Sequence, residues 1–478
     1  MFRSRLIAPY QHEGVQWMVR RETEENAGGF LCDEMGLGKT VQVLATMTVN
    51  VRPRTLIIVP KSIVSQWAAE TARFVPSFRV HIFDGVKRTA PVFDNSPWVV
   101  IAPYSVIGTR KGSPICPLLN INWDRVILDE AHEIRNPKSA THIACRKITA
   151  PIRWVMSGTP IFNSNRDFVS LGAFVGLGRE LLENSAEEVR RKFVMRRTKL
   201  DLCKYNRRLE LPPLDFKNIE LEMYPEEREL YSEAFEAGRE VAGQVVVNSL
   251  IYMQALLEAF LRIRQVMSWP QMYLDGIARK QEDEEPRRWE GRSKKMETLL
   301  ESIKSHPREK TLVFCQFIGE MNHIQELLSA ENLPVFRIDG SVNNDQRAER
   351  ITAFKAGPAN AVFLIQIKSG GVGLNLQEAT RIYITCPSWN PATELQAISR
   401  AHRTGQTQRV TVRRLIYMGE DGGAGQSPLP SVEQSILELQ ERKTKVCAEV
   451  LNDQRILAQL PRGSSKVSVH ALKKIFHV

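Results

Sequence analysis

No two of the seven cysteines in this 478-residue chain lie within four positions of each other; they stand at 32, 116, 145, 203, 315, 386 and 447. That spacing excludes ordinary Cys-x-x-Cys zinc modules and fits a reducing compartment. Cys32, Cys315 and Cys386 fall in strand-like runs and read as small core residues. Long apolar runs are missing too. The richest stretch, Val241 to Leu261, is broken by Gln244, Asn248, Ser249, Gln254 and Glu258, so no membrane span is expected. The opening Met1-Phe2-Arg3-Ser4-Arg5 has no apolar segment of signal-peptide length, and export is not expected either. Internal repeats and long low-complexity tails are also absent. What remains is a composition of 43% hydrophobic and 25% charged residues, enough for two to four globular domains with sizeable cores.

Charge is unevenly placed within a net of +11. Between Arg190 and Pro213 nine Lys/Arg face only Asp201 and Glu210, and Leu395 to Gly419 carries five arginines and no acid. Each run is either a solvated face or a surface for a phosphate backbone.

Short β-branched runs recur through the first 200 residues, at 29–32, 55–59, 98–101, 125–128 and 153–156, each followed by a polar loop. They predict strands buried on both faces of a parallel sheet, with ligands at the carboxyl ends. The pattern stops near Lys204. Helices are expected from about 220 to 268, then a charged linker over Ala278 to Lys295. Strand-like runs resume at 311–314, 335–338, 361–365 and 381–384, predicting a second α/β lobe. A Gly/Ser/Pro loop at Gly419 to Pro430 precedes a polar amphipathic helix from Ser431 to Leu451.

Two segments carry chemistry. Asp33-Glu34-Met35-Gly36-Leu37-Gly38-Lys39-Thr40 follows a strand and departs from Gly-x-x-x-x-Gly-Lys-[Ser/Thr] only in having Asp33 at the first glycine's place. Gly36 and Gly38 allow close backbone approach to phosphates, Lys39 reaches the outer phosphates, and the Thr40 hydroxyl can ligate Mg²⁺. Asp129-Glu130-Ala131-His132 ends another strand. Asp129 would hold the metal and Glu130 would take a proton from the attacking water; the plainer reading of these acids is a helix cap. His132 either links nucleotide state to the second lobe or is packing. Arg400 and Arg403, three apart, would share a helix face with Gln396 one turn earlier, and act as arginine fingers or bind a DNA phosphate.

With these pieces in order, the chain resembles a Swi/Snf-type ATPase of helicase superfamily two over nearly its full length. Leu6 to Trp17 resembles the adenine motif, where Gln11 would read the base; Asp33–Thr40 resembles motif I and Asp129–His132 motif II. Val59-Pro60-Lys61-Ser62 with Gln66-Trp67 resembles motif Ia, and Ser157-Gly158-Thr159-Pro160 motif III. In the second lobe Phe314-Cys315-Gln316-Phe317 and Asp339-Gly340-Ser341 resemble motif IV and its neighbour, Lys368–Leu376 motif V. Trp389-Asn390-Pro391 through Gln406 and Met195-Arg196-Arg197-Thr198-Lys199 are the most family-specific segments. Cys386 and Trp269-Pro270 depart from the family pattern, where Asp and His-Pro are usual.

The resemblance implies an α/β chain of two RecA-like parallel-sheet lobes with a helical insertion and a C-terminal brace helix. The expected division is an ATP-binding lobe at 1–203, a helical protrusion and linker at 204–298, a helicase lobe at 299–430, and a brace helix and tail at 431–478. The implied activity is DNA-stimulated ATP hydrolysis, with ATP and Mg²⁺ as cofactors and translocation on double-stranded DNA that remodels or displaces bound protein. A strand-separating DNA or RNA helicase, and an ATP-switched DNA-binding transcription factor, are the alternatives. The implied nucleotide-binding set is Gln11, residues 33 to 40, Gly373 and Gln396. Lys61, Ser62, Lys368, Ser369 and Trp389 are the implied DNA contacts, although a core role is the plain reading of Trp389. Nucleosomes or other DNA-bound protein and a recruiting partner are the implied company, and no membrane. The implied location is the nucleus in a eukaryotic cell, otherwise the cytoplasm or a viral replication compartment. No bromo-, chromo- or RING-type segment is visible, so the expectation is a bare engine targeted by something else.

Overall fold

The computed structural model describes residues 8–85, 88–108, 116–158, 165–203, 211–243, 250–281, 287–370, 374–403, 405–420 and 429–451. The chain divides into two units, 1–211 with 445–461 and 212–444 with 462–478.

Among the described residues the first unit is built on seven strands: β1 (Gly28–Leu31), β2 (Arg54–Val59), β3 (Arg79–Ile82), β4 (Trp98–Pro103), β5 (Arg125–Asp129), β6 (Ile152–Met156) and β7 (Val194–Met195). Their order is β3-β4-β2-β5-β6-β1-β7 and every pairing is parallel. The central strands are apolar on both faces because helices cover both, and Ile57, Ile58, Ile127, Leu128 and Trp154 are wholly buried. Register places the chemistry. Leu31 and Asp129 both pair with Met156, so the loop after β1 and the acids after β5 leave the sheet at one level. One strand separates them, or about 10 Å at the usual interstrand spacing.

The second unit has six parallel strands: β8 (Leu214–Leu221), β9 (Thr311–Cys315), β10 (Val335–Ile338), β11 (Val362–Gln366), β12 (Arg381–Ile384) and β13 (Val410–Tyr417), in the order β10-β11-β9-β12-β13-β8. Two parallel α/β units are thus present as expected.

Four strands escaped the sequence reading. β3 and β8 have half-exposed, polar sequences, β7 is two residues long, and β13 is interrupted by Arg413 and Arg414. The stretch 204–298 is correspondingly not all protrusion and linker: β8 is an edge strand paired along its length with β13. Helices follow at Pro225–Gly243, Leu250–Ser268 and Pro270–Gln281. Their buried residues, among them Tyr231, Phe235, Leu256 and Ile263, share one core with Val313, Leu364 and Leu415 of the sheet. Lys295, at the end of the expected linker, is fully buried in the helix Lys294–Lys304, with its ammonium 2.7 Å from Glu433 Oε1. The helix Val432–Leu451 matches the amphipathic stretch expected after the loop.

Candidate nucleotide site

The loop after β1 has the geometry of a phosphate cradle. Gly36 and Gly38 take φ of 87° and 75°, a region costly for side chains with a Cβ. Gly38 caps the helix Lys39–Val49, so the first-turn N–H groups of that helix have no intrahelical partner. The Lys39 ammonium donates to the Asp33 carbonyl at 2.7 Å. Thr40 is half-buried beside it. A Cβ on Gly158, after β6, would lie 3.7 Å from Lys39 Nζ and 3.0 Å from Met35 Cγ, which places these residues together. Gln11, in the helix Pro9–Arg21, is buried with its amide against Gly38: a Cβ there would come within 2.6 Å of Nε2.

Other members of the expected set turn inward. Asp33 is wholly buried, and its carboxylate accepts from the Arg197 backbone N–H (3.1 Å) and Nε (2.9 Å) and from Gln42 Nε2 (3.1 Å). A carboxylate is an acceptor, as a phosphate oxygen is, and both Asp33 oxygens already take donors from Arg197 and Gln42, so the side chain is engaged in holding the loop. Glu34 likewise accepts from the Lys199 backbone N–H at 2.8 Å. The Leu37 side chain is buried with Ala8, Tyr10 and Leu202. The Tyr10 hydroxyl donates to the Leu37 carbonyl at 3.1 Å.

Asp129 ends β5 with one oxygen fixed by Trp67, whose indole Nε1 donates to Oδ2 at 2.8 Å, and the other accepting the Glu130 N–H at 2.9 Å. Tyr104 donates to its carbonyl at 2.8 Å. Burial, then the neighbouring Glu130 charge, pushes the Asp129 carboxyl up to about 6, against the pull of the Trp67 hydrogen bond and Lys39. Glu130 stands at φ 48°, a left-handed conformation that costs a residue with a Cβ of order 1–3 kcal/mol. Its Oε2 lies 3.4 Å from His132 Nδ1. Two adjacent carboxylates, one with a raised affinity for protons, form the kind of site that a divalent cation relieves.

In the second unit the helix Pro391–Ile398 ends before either arginine. Arg400 and Arg403 therefore sit on successive turns after it, not on a shared helix face, while Gln396 is on the helix. Arg400 is buried, its backbone tied to Ala397 and Leu376. Arg403 is half-buried, with Nη1 3.5 Å from the Leu374 carbonyl. Gly373 and Thr159-Pro160 lie outside the described residues.

The implied DNA contacts divide. Lys61, in a single turn after β2, and Lys368, just after β11, are exposed, and Ser62 is half-buried. Ser369 donates its hydroxyl to Gln366 Oε1 at 3.0 Å. Trp389 packs edge-on against Phe260, ring centres 5.3 Å apart, at the rim of the second core. That favours its plain reading.

The basic runs are partly tied inward, although Arg191, Lys192 and Arg409 are exposed. Arg196 donates to the carbonyls of Cys32 and Gly158, both at 3.2 Å, and Arg197 and Lys199 hold Asp33 and Glu34. Arg409 and Arg413 pair with Asp215, and Arg414 with Glu394. A buried carboxylate needs a cationic partner; Asp33 in a glycine's place was the sequence signal for Arg197, and it went unread. Trp67 lies in the motif Ia segment, but spacing does not show an indole reaching Asp129.

A model of the SNF2-related domain matches residues 10–184, and a model of the helicase conserved C-terminal domain matches 294–405. The chain thus carries a SNF2-related domain followed by a helicase conserved C-terminal domain, a pairing consistent with an ATP hydrolase. It is homologous to the SWI/SNF ATPases. It is 28% identical over 444 residues to a probable global transactivator of Orgyia pseudotsugata multicapsid polyhedrosis virus, covering 87% of each chain. It is also 28% identical over 487 residues to the mouse SWI/SNF-related matrix-associated actin-dependent regulator of chromatin subfamily A member 1. That match covers 95% of this chain and 44% of the mouse relative, so the chain spans under half the length of that protein. Among solved structures, the Sulfolobus solfataricus SWI2/SNF2 ATPase core in complex with dsDNA aligns with 96% of this chain and 98% of its own, at 24% identity and TM-score 0.41. ATP use follows from the family. Among the described residues no helix is long and apolar enough to cross a membrane.

Proposed function

We propose that the chain is a DNA-stimulated ATPase that translocates on double-stranded DNA and remodels or displaces protein bound to it. The observation that carries this reading is the meeting, at one edge of the first sheet, of the 33–40 loop with Asp129 and Glu130, in a chain of the SNF2 type.

The loop N–H groups and Lys39 would hold the outer phosphates, and Gln11 the base. Thr40 and Asp129 would hold Mg²⁺. Among the described residues no group of three or more His, Cys, Asp or Glu side chains is placed to hold a metal unaided, which suits an ion shared with phosphate oxygens. Such an ion supplies charge neutralisation on those oxygens. Glu130 accepts the proton of the attacking water. Arg403, with Arg400, stabilises the charge that develops on the transferring phosphoryl group, an effect worth roughly 10³–10⁵ in rate in phosphoryl-transfer enzymes.

Lys61 and Lys368, exposed after strand ends, supply phosphate contacts that position without reading sequence. The viral relative is named a transactivator and the mouse relative a regulator of chromatin; nucleosomes or other bound protein as the load, a recruiting partner, and a nuclear or viral-replication setting follow from that company. The divisions between lobe, protrusion and brace belong to the same reading. Translocation without unwinding is tested by offering a triplex and a forked duplex in parallel. Displacement of the third strand with the fork left intact is expected, and robust ATP-dependent unwinding of the fork transfers the chain to the strand-separating helicases.

A further inference from the structure

Met195, Arg196, Arg197 and Lys199 all bond residues 32–34 at the head of the nucleotide loop, while Thr198 bonds Asp201. The Cys32 N–H donates to the Met195 carbonyl at 2.7 Å and the Glu34 N–H to the Arg197 carbonyl at 2.9 Å, so the pairing of β1 with β7 continues past both strands into the loop. In the opposite direction the Arg197 N–H donates to Asp33 at 3.1 Å and the Lys199 N–H to Glu34 at 2.8 Å. One guanidinium closes the set. Arg197 Nε and Nη2 take the two oxygens of Asp33, Nη2 also donates to Gln42 Oε1 at 2.8 Å, and Nη1 donates to the Tyr10 carbonyl. It therefore joins the first residue of the loop, the helix that follows it, and the adenine-motif helix that precedes it. Gly14 leaves room for this: a Cβ there would lie 1.9 Å from Gln42 Oε1 and 2.8 Å from Arg197 Nη2.

A glycine at the head of such a loop sets its shape through backbone freedom. Asp33 has no such freedom, and its conformation is held from outside by a planar fork that lysine cannot copy. We propose that Arg197 is a positioning residue for the nucleotide, and that the 195–199 strap and the loop form one cooperative element, so that occupying the loop tightens the strap. The coupling must run both ways: a loosened strap lowers nucleotide affinity by the factor by which nucleotide favours the ordered strap.

The proposal rests on the ATP-site reading, and one experiment separates the two. Amide hydrogen exchange is followed on the whole wild-type chain with and without a nonhydrolysable ATP analogue and Mg²⁺. Slowed exchange in 195–202 together with 33–40 is expected. Protection of 33–40 with 195–202 unchanged overturns the strap, and protection in neither removes the nucleotide site and the strap with it. Arg197→Lys, and Asp33→Asn with Arg197→Gln, which leaves no orphaned carboxylate, add the affinity. A tenfold or greater rise in the Kd of a fluorescent ATP analogue is expected below the melting transition. A folded Arg197→Lys protein with Kd within twofold of wild type shows that the fork serves stability alone and contradicts the proposal.

Discussion

The indole Nε1 of Trp67 donates to Oδ2 of Asp129 at 2.8 Å, fixing the carboxylate that ends β5. Trp67 is itself buried at the start of the helix Val64–Phe74, so the indole has little freedom to follow a displaced carboxylate. A hydrogen bond to a charged group is worth about 1.5–3 kcal/mol. Trp67→Phe keeps an aromatic ring, though a smaller one, and removes the donor. Turnover is expected to fall about tenfold and the Mg²⁺ concentration for half-maximal rate to rise, read from a metal titration at saturating ATP. An unchanged metal titration would detach Trp67 from the site.

Binding and chemistry separate at Lys39 and Glu130. Lys39→Ala is expected to weaken ATP binding, whereas Glu130→Gln binds ATP and loses turnover by about 10²-fold or more, since only the proton acceptor is gone. Equilibrium binding beside single-turnover hydrolysis distinguishes the two. Near-full turnover in Glu130→Gln would assign the base elsewhere.

Burial separates the two arginines of the second unit. Arg403, half-buried, is expected to lose DNA-stimulated turnover as alanine, with ATP affinity and melting temperature kept. Arg400, buried, is expected to lower stability as well, by about 1–3 kcal/mol. Chemical denaturation beside the ATPase assay tells them apart. Normal hydrolysis with weak DNA binding in Arg403→Ala would make that residue a backbone contact.

Much of this site was open to sequence reading because it depends on local rules. Glycines before Lys-Thr need positive φ, and acids after an apolar strand run lie at a sheet edge whatever the rest of the fold does. The sheets were legible wherever strands were buried on both faces, as at 55–59 and 361–365, and were missed at β8, a polar edge strand, and at β13, where Arg413 and Arg414 interrupt the apolar run. Charge runs misled for a related reason. Arg197, Arg413 and Arg414 read as a surface in one dimension, yet their partners, Asp33, Asp215 and Glu394, lie 164, 198 and 20 residues away. The expected helix face for Arg400 and Arg403 failed because the helix stops at Ile398, and three-apart spacing does not mark a helix end.

A pH effect follows from His142, buried beneath the segment that carries Asp129 and Glu130. Its Nδ1–H donates to the Ile134 carbonyl at 2.7 Å, and burial holds its imidazole below the ordinary range, opposed by that hydrogen bond. The unfolded chain therefore takes up a proton first. The stabilisation is complete above about pH 6.5, the unperturbed value, and is lost as pH falls through the lower folded value. Melting temperatures of wild type and His142→Asn should converge as pH falls over that interval; a constant difference would contradict this.

ATP hydrolysis measured with and without duplex DNA across a salt series tests the central claim most directly. Turnover is expected to be slow alone, to rise tenfold or more with duplex DNA, and to lose that stimulation as salt displaces the phosphate contacts. Equal turnover with and without DNA at every salt concentration would contradict a DNA-driven ATPase.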